Sequence, residues 1–180
     1  MKTMLPQSIR HSFAAVAAVA LVAACADGGP VTPSGVPPTS AQPATQSDAE
    51  SEAVATLRWA TRRYRDVSVA INDGFEFLRA CEQRAGGATG ALYFNGKRAY
   101  DGVLYTEVPD GLIYEPGPDG HPKLVGVEMM WGYSPGDTPT VQFLGVPLAP
   151  ITTFIYGVPV WVWRDNPDGL LAPVNPRVSC

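Results

Sequence analysis

The sequence predicts an α+β domain: one long helix packed on a curved antiparallel sheet that can close toward a small barrel. Three observations lead there. Val54, Leu57, Ala60, Tyr64, Val67 and Ile71 recur at helical spacing and form one apolar stripe. Gly111–Glu115 and Lys123–Trp131 are apolar runs on either side of a Pro/Gly-rich turn, residues 116–122. The stretch 156–164 alternates as a strand does, with Trp161 and Trp163 on one side and Val160, Val162 and Arg164 on the other.

Taken in order, the helix opens at Ser47, where Ser47 and Glu50 have the spacing of a capping box. It ends near Asn72-Asp73-Gly74, with Gly74 as the C-terminal cap. Arg58, Arg62, Arg63 and Arg65 decorate its remaining surface and read as a solvated face. Phe75, Phe77 and Leu78 continue the packing and deliver Cys81 to the edge of the core. Residues 86–90, GGATG, read as a tight turn into a strand; they lack the lysine of a phosphate-binding loop. Asn95-Gly96 is a two-residue hairpin signal between 91–95 and 97–100, and a loop runs on to Asp110. In 123–131, Val125, Val127, Met129 and Trp131 face one way, and Leu124, Gly126, Glu128 and Met130 the other. A breaker cluster at 132–139 precedes a short strand at 140–144, a loop at 146–150, and one long strand or two at 152–163. Pro167, Pro173 and Pro176 each remove a backbone donor, so the last stretch is irregular.

Residues 1–24 read as a bacterial lipoprotein signal: Lys2 and Arg10, a short apolar run, then Val22-Ala23-Ala24-Cys25 as a lipobox. The run is shorter than the roughly 20 residues of a membrane helix. Cys25 is then the lipidated N-terminus, and the membrane is the expected partner through that anchor. The residue after it is Ala26, not aspartate, which favours the outer membrane where one exists. The alternative is an ordinary secretory signal and a secreted protein. Residues 25–46 are rich in Gly, Pro, Ser and Thr and form a disordered tether spanning roughly 25 Å. Residues 47–180 form one domain.

Loss of residues 1–24 removes Lys2 and Arg10 and leaves 11 basic and 17 acidic residues, a net charge of −6. That balance argues against a nucleic-acid partner. With Cys25 lipidated, Cys81 and Cys180 remain, and in an exported chain they are expected to pair. One histidine is left, His121, in a Gly/Pro turn. A multi-histidine zinc site and a histidine-based triad are therefore not expected, and no cofactor is implied.

Glu128 is the one acid embedded in an apolar strand, where burial would raise its pKa. Glu115 lies in the partner strand, and the two carboxylates together would suit a hard cation or acid/base work. A curved sheet would present an apolar concavity lined by Trp161, Trp163, Met130 and Tyr93. Asn166-Pro167-Asp168-Gly169 and Asn175-Pro176 are turn signatures whose asparagines fix local backbone.

Several segments together resemble a family of uncharacterised exported bacterial proteins, lipoproteins and secreted proteins. They are Tyr64 with Asp66, the turn 87–93, Leu124–Glu128, and a C-terminal WxWxxNPxG…NPxxxC pattern over 161–180. The resemblance implies export and a shared fold, not a reaction. In that family one histidine stands at the position of Leu92 and another at that of Pro159, where with a strand glutamate they would make a metal or polar ligand site. Both positions are apolar here. The expected function is therefore a lipid-anchored, non-catalytic module that binds a small apolar ligand or an envelope protein. The site residues would be Glu128, Trp161, Trp163, Tyr93 and Met130. The alternative is an envelope metal protein or hydrolase using Glu128 and Glu115.

Overall fold

The computed structural model describes residues 45–134 and 140–180. The signal segment, Cys25 and nearly all of the tether lie outside the described residues. Helix α1 spans Gln46–Thr61 and is capped by Thr45, not Ser47. The Thr45 hydroxyl accepts from Asp48 N (3.3 Å), and Asp48 Oδ2 accepts from Thr45 N (2.9 Å). The same capping chemistry thus sits two residues earlier than expected, because Thr45 also has an acid three residues on.

The helix does not run unbroken to residue 72. A 3₁₀ turn, Arg62–Arg65, follows α1, and Asp66 then adopts extended backbone and caps a second helix, α2 (Val67–Asn72). Its carboxylate accepts from Ser68 N (2.9 Å), which ends the first helix by giving the backbone another partner. The break shifts the apolar face. Ala53, Leu57 and Tyr64 are buried, but Ala70 is buried in place of Ile71, which is exposed. Gly74 ends α2 with φ +85°, as expected.

Among the described residues ten strands follow: β1 (Glu76–Arg79), β2 (Gln83–Arg84), β3 (Gly87–Ala88), β4 (Ala91–Phe94), β5 (Gly111–Glu115), β6 (Lys123–Gly132), β7 (Gln142–Phe143), β8 (Val146–Pro147), β9 (Ala149–Thr152) and β10 (Ile155–Val160). Six of them make one antiparallel sheet in the order β1-β4-β5-β6-β10-β9, curled into a half-barrel. The pairs β2-β3 and β7-β8 form small separate ribbons. The expected pairing of Gly111–Glu115 with Lys123–Trp131 is present; the expected one or two strands at 152–163 are β10 with the end of β9, and β8 and β9 begin inside the expected loop at 146–150.

Asn95-Gly96 does not turn a hairpin. Gly96 lacks the positive φ that such a turn needs, and residues 96–99 form a short helix, α3, in which the Arg98 and Ala99 amides donate to Asn95 O. The Asn95 side chain donates to Asp73 O (3.2 Å), and its own N–H donates to Asp110 O (2.8 Å). β4 pairs instead with β1 and β5.

A bulge in β6 changes the expected facing. Ile113 pairs with Gly126 but Tyr114 pairs with Leu124, so Val125 is the extra residue. Leu124 therefore joins Val127 and Met129, together with Leu112, Tyr114, Val158 and Val160, on the face that packs against Leu57, Tyr64 and Phe75. Val125 moves to the opposite face with Leu92, Ile113, Met130, Ile155 and Trp161, where Ala88 and Val178 cover it.

The C-terminal stretch leaves the sheet at Val160, where Val162 N bonds back to Val160 O as in a γ-turn. This swings Trp161 and Trp163 onto different faces, contrary to the alternation expected of them. Trp161 Nε1 donates to Ala172 O (2.7 Å), and Trp163 Nε1 to Thr61 Oγ1 (3.0 Å). The asparagines of the two Asn-Pro steps fix the tail as expected. Asn166 donates to Val174 O (2.9 Å) and Asn175 to Arg164 O (3.2 Å). Asn175 also exchanges backbone bonds with Ala88. The tail ends with Cys180 in disulfide geometry with Cys81, their Cα atoms 5.5 Å apart.

Candidate functional site

A flat six-stranded sheet would hold its edge strands roughly 24 Å apart. Here residues from both edges, Arg79 at the end of β1 and Ile151 in β9, line one cavity of about 100 Å³. The curl of the sheet brings them together. Glu128 from β6 and Gly157 from β10 line it as well, together with Thr89 and Pro173.

Glu128 sits on the face that carries Met130, and its register partner is Pro159. Its neighbours on both sides are short. A Cβ on Gly111 would lie 2.8 Å from Glu128 Cβ, and one on Gly157 would lie 2.9 Å from Glu128 Oε1. Two glycines thus make the room this side chain needs inside the sheet. Glu128 is 4 % exposed, and its carboxyl forms no hydrogen bond with any described residue. Burial pushes its pKa up to about 8, against a weaker downward pull from Arg79.

Arg79 lines the same cavity, and its Nε is buried without an acceptor. The two groups feel each other's charge yet form no ion pair. Arg84, at the rim, is tied to Glu82 by two hydrogen bonds. The Thr89 hydroxyl accepts from Glu82 N (3.1 Å) and donates to Gly90 O (3.0 Å). The site therefore combines an unpaired buried acid, an unpaired guanidinium nitrogen and walls rich in proline.

The other expected site residues are dispersed. Met130 and Trp161 are buried core on Glu128's face, whereas Tyr93 and Trp163 pack on the opposite one. Tyr93 stacks edge-on with Tyr114 and Phe77, and Trp163 lies under the Arg65 guanidinium, 4.3 Å from its ring centre. The four do not line one apolar concavity. Glu115 does not meet Glu128 either. It lies four residues along β5 from Gly111, the partner of Glu128, or roughly 13 Å away. Its carboxylate pairs with Arg164 and accepts from Ser179 N (3.1 Å). Leu92 and Pro159 both flank Glu128: Pro159 as register partner, Leu92 beside Gly111. His121 is exposed. No group of three His, Cys, Asp or Glu side chains suited to a metal occurs among the described residues.

Two groups escaped the reading of the sequence. Arg79 belongs to a segment that reads as packing only; the signal was its position two residues before Cys81, which the tail draws in. Asp110 looks like a loop residue, yet it is 1 % exposed and its Oδ2 accepts from Met130 N (2.8 Å). It takes the amide that β5 would have bonded had it started earlier. Burial raises its pKa to about 7, with Asp101 adding to the rise and Arg98 opposing it.

The chain matches no protein-family model, no curated protein and no solved structure.

Proposed function

We propose that this chain is a lipid-anchored binding protein of the cell envelope that holds a small polar ligand in the Glu128 cavity. One observation carries the reading: a buried carboxyl with no partner among the described residues opens onto a cavity that residues from both edges of the sheet enclose. Beside it, Arg79 Nε is buried without an acceptor, and leaving such a group unsatisfied costs about 1–3 kcal/mol. A group kept in that condition inside a cleft is a binding-site candidate. A polar ligand replaces the apolar one expected from the tryptophans, because Arg79, Thr89 and Glu128 supply the functional groups of the lining.

Binding is favoured over catalysis by what surrounds the acid. The second carboxylate of the metal or hydrolase reading, Glu115, is occupied by Arg164 and Ser179. The nearest hydroxyl in the lining, Thr89, is already donating to a backbone carbonyl. Lipid attachment at Cys25 would hold this domain at the membrane surface, with the outer membrane favoured where there is one. No helix of the described residues is long and apolar enough to cross a membrane.

The test is an NMR screen of the full mature chain against small acids, amines, amides and sugars. A hit that shifts the Glu128 and Gly157 amides, and fails to do so in G157A, supports the site. No such hit from any class refutes it. Palmitate labelling that is lost in Cys25→Ser supports the anchor, and labelling kept in that variant refutes it.

A further inference from the structure

We propose that the Glu128 cavity selects a small monoanionic carboxylate, held by the Arg79 guanidinium and hydrogen-bonded by the Glu128 carboxyl group. The inference rests on the binding reading above and specifies the ligand's chemistry.

The geometry leaves a gap between two opposite groups. Arg79 and Glu128 line one cavity without forming an ion pair, and Arg79 Nε is out of contact with solvent and without an acceptor. A guanidinium presents its N–H groups in a planar fork that matches the two oxygens of a carboxylate. One ligand oxygen can accept from the terminal nitrogens of Arg79, which have no partner among the described residues, whereas Nε itself is shut off. The other can reach the Glu128 carboxyl, which carries its proton at pH 7 and donates it. A neutral acid facing an anion is a stable pairing; an ionised acid facing the same anion is repulsive.

Charge and size narrow the choice. Arg84 adds a second positive group at the rim, partly offset by Glu82, so the cavity is positive while Glu128 is neutral. A cation would meet two guanidinium groups and one protonated acid. The volume, about 100 Å³, is small beside the roughly 300–1,000 Å³ of pockets for larger organic ligands. It suits a ligand of a few heavy atoms such as acetate or formate, or the carboxylate end of a longer molecule reaching in past Pro159 and Pro173.

The experiment titrates the full mature chain with acetate, with phosphate and with methylammonium, following the Glu128 and Gly157 signals by NMR from pH 6 to 9. Acetate is expected to saturate with a Kd of about a millimolar. Its affinity should hold steady below pH 8 and fall about tenfold per unit above it, as Glu128 ionises. R79Q should weaken acetate by at least about tenfold. E128Q, which keeps a donor but cannot ionise, should still bind acetate and should lose the fall above pH 8. E128Q retains acetate binding under this proposal and abolishes cation binding under a cation site, so the two readings predict opposite results for one variant.

Acetate binding that strengthens above pH 8, or that disappears in E128Q, overturns the proposal. So does phosphate binding more tightly than acetate. Methylammonium binding that is lost in E128Q would overturn the carboxylate assignment while leaving the cavity as a binding site. No response of Glu128 or Gly157 to any of the three probes overturns the carboxylate proposal alone; the wider screen above then decides the binding reading.

Discussion

Glu128 and Gly157 are diagonal neighbours on adjacent strands, so close that a Cβ on Gly157 would sit 2.9 Å from Glu128 Oε1 and 2.3 Å from Ile151 Cδ1. Both obstructing atoms are the far ends of side chains and can move. G157A should therefore destabilise by only about 1 kcal/mol while pushing the carboxyl out of its place, so that its pKa falls from about 8 toward the ordinary carboxylate range. Gly87 offers the contrast. Its φ is +146°, and a Cβ there would meet Asn175 C at 2.4 Å and O at 2.5 Å, backbone atoms locked by the bonds between Asn175 and Ala88. G87A should cost at least about 2 kcal/mol. Urea denaturation ranks the two, and a larger loss for G157A than for G87A would contradict this account.

Glu128 also sets a pH dependence. Its folded pKa, about 8, lies above the ordinary 4.5, so the folded state holds a proton that the unfolded chain has released. Stability then falls as pH rises from about 4.5 to 8 and levels off above, a loss on the order of a few kcal/mol. E128Q should remove this loss. The variant should match the parent near pH 4 and exceed it in stability by pH 7, with a margin that widens to about pH 8 and is constant beyond pH 9. Denaturation of both proteins at pH 4, 7 and 9 reads the difference directly. A margin that shrinks with rising pH would show that the carboxyl is not held protonated.

Asp110 contributes in the same direction over a lower range, since its pKa is raised from 3.8 to about 7. D110N keeps an oxygen that can accept from Met130 N, so near pH 4 it should be close to neutral in stability. Above pH 7 it should be more stable than the parent. Combined with E128Q it should flatten most of the stability profile between pH 5 and 8. A D110N protein that is destabilised equally at every pH would mean that the ionised acid, not the protonated one, caps the β6 amide.

How much of this could be read from residues alone depended on how local the cause was. The helix, the Gly111–Glu115 pairing and the sulfur pair follow from periodicity, turn chemistry and cysteine count, all visible within short windows. Asp66 was visible as a residue but not as a break, because its competing bond to Ser68 is decided only when the backbone turns. The Val125 bulge is invisible in a run of apolar residues, and it reverses the predicted facing of Leu124 and Val125 at the start of β6. Glu128 stood out as the one acid in that run. Arg79 did not, since it reaches the cavity only through the curl of the whole sheet, a long-range consequence that no window contains.

The Cys81–Cys180 pair closes the chain over a separation of 99 residues. The loop-entropy model gives about 4.7 kcal/mol for a closure of this length, and removal of such bridges typically costs 2–5 kcal/mol. Reduction of the full chain should lower its stability by about 2–4 kcal/mol. It should also loosen the end of β1, because Arg79 is two residues from Cys81. Denaturation with and without reductant measures the first effect, and the cavity signals of Glu128 and Gly157 report the second. No change in either would mean that the asparagine and Glu115 contacts hold the tail without help from the bridge.

Glu115 and the disulfide grip the same end of the tail, and their effects should not add. Glu115 Oε1 accepts from Ser179 N and Oγ, at 3.1 and 3.3 Å, one residue before Cys180, while its other oxygen pairs with Arg164. In the intact protein E115Q weakens all three contacts and should cost about 1–2 kcal/mol, reduced by the partial exposure of Arg164. In a C180S background the last residues are released, so the Ser179 contacts are already weakened and only the Arg164 pair remains to be lost. E115Q should then cost at least about 0.5 kcal/mol less than in the parent. A double-mutant cycle of E115Q and C180S measures that coupling. Additivity within about 0.3 kcal/mol would show that the Glu115 clasp holds the tail independently of the sulfur bridge.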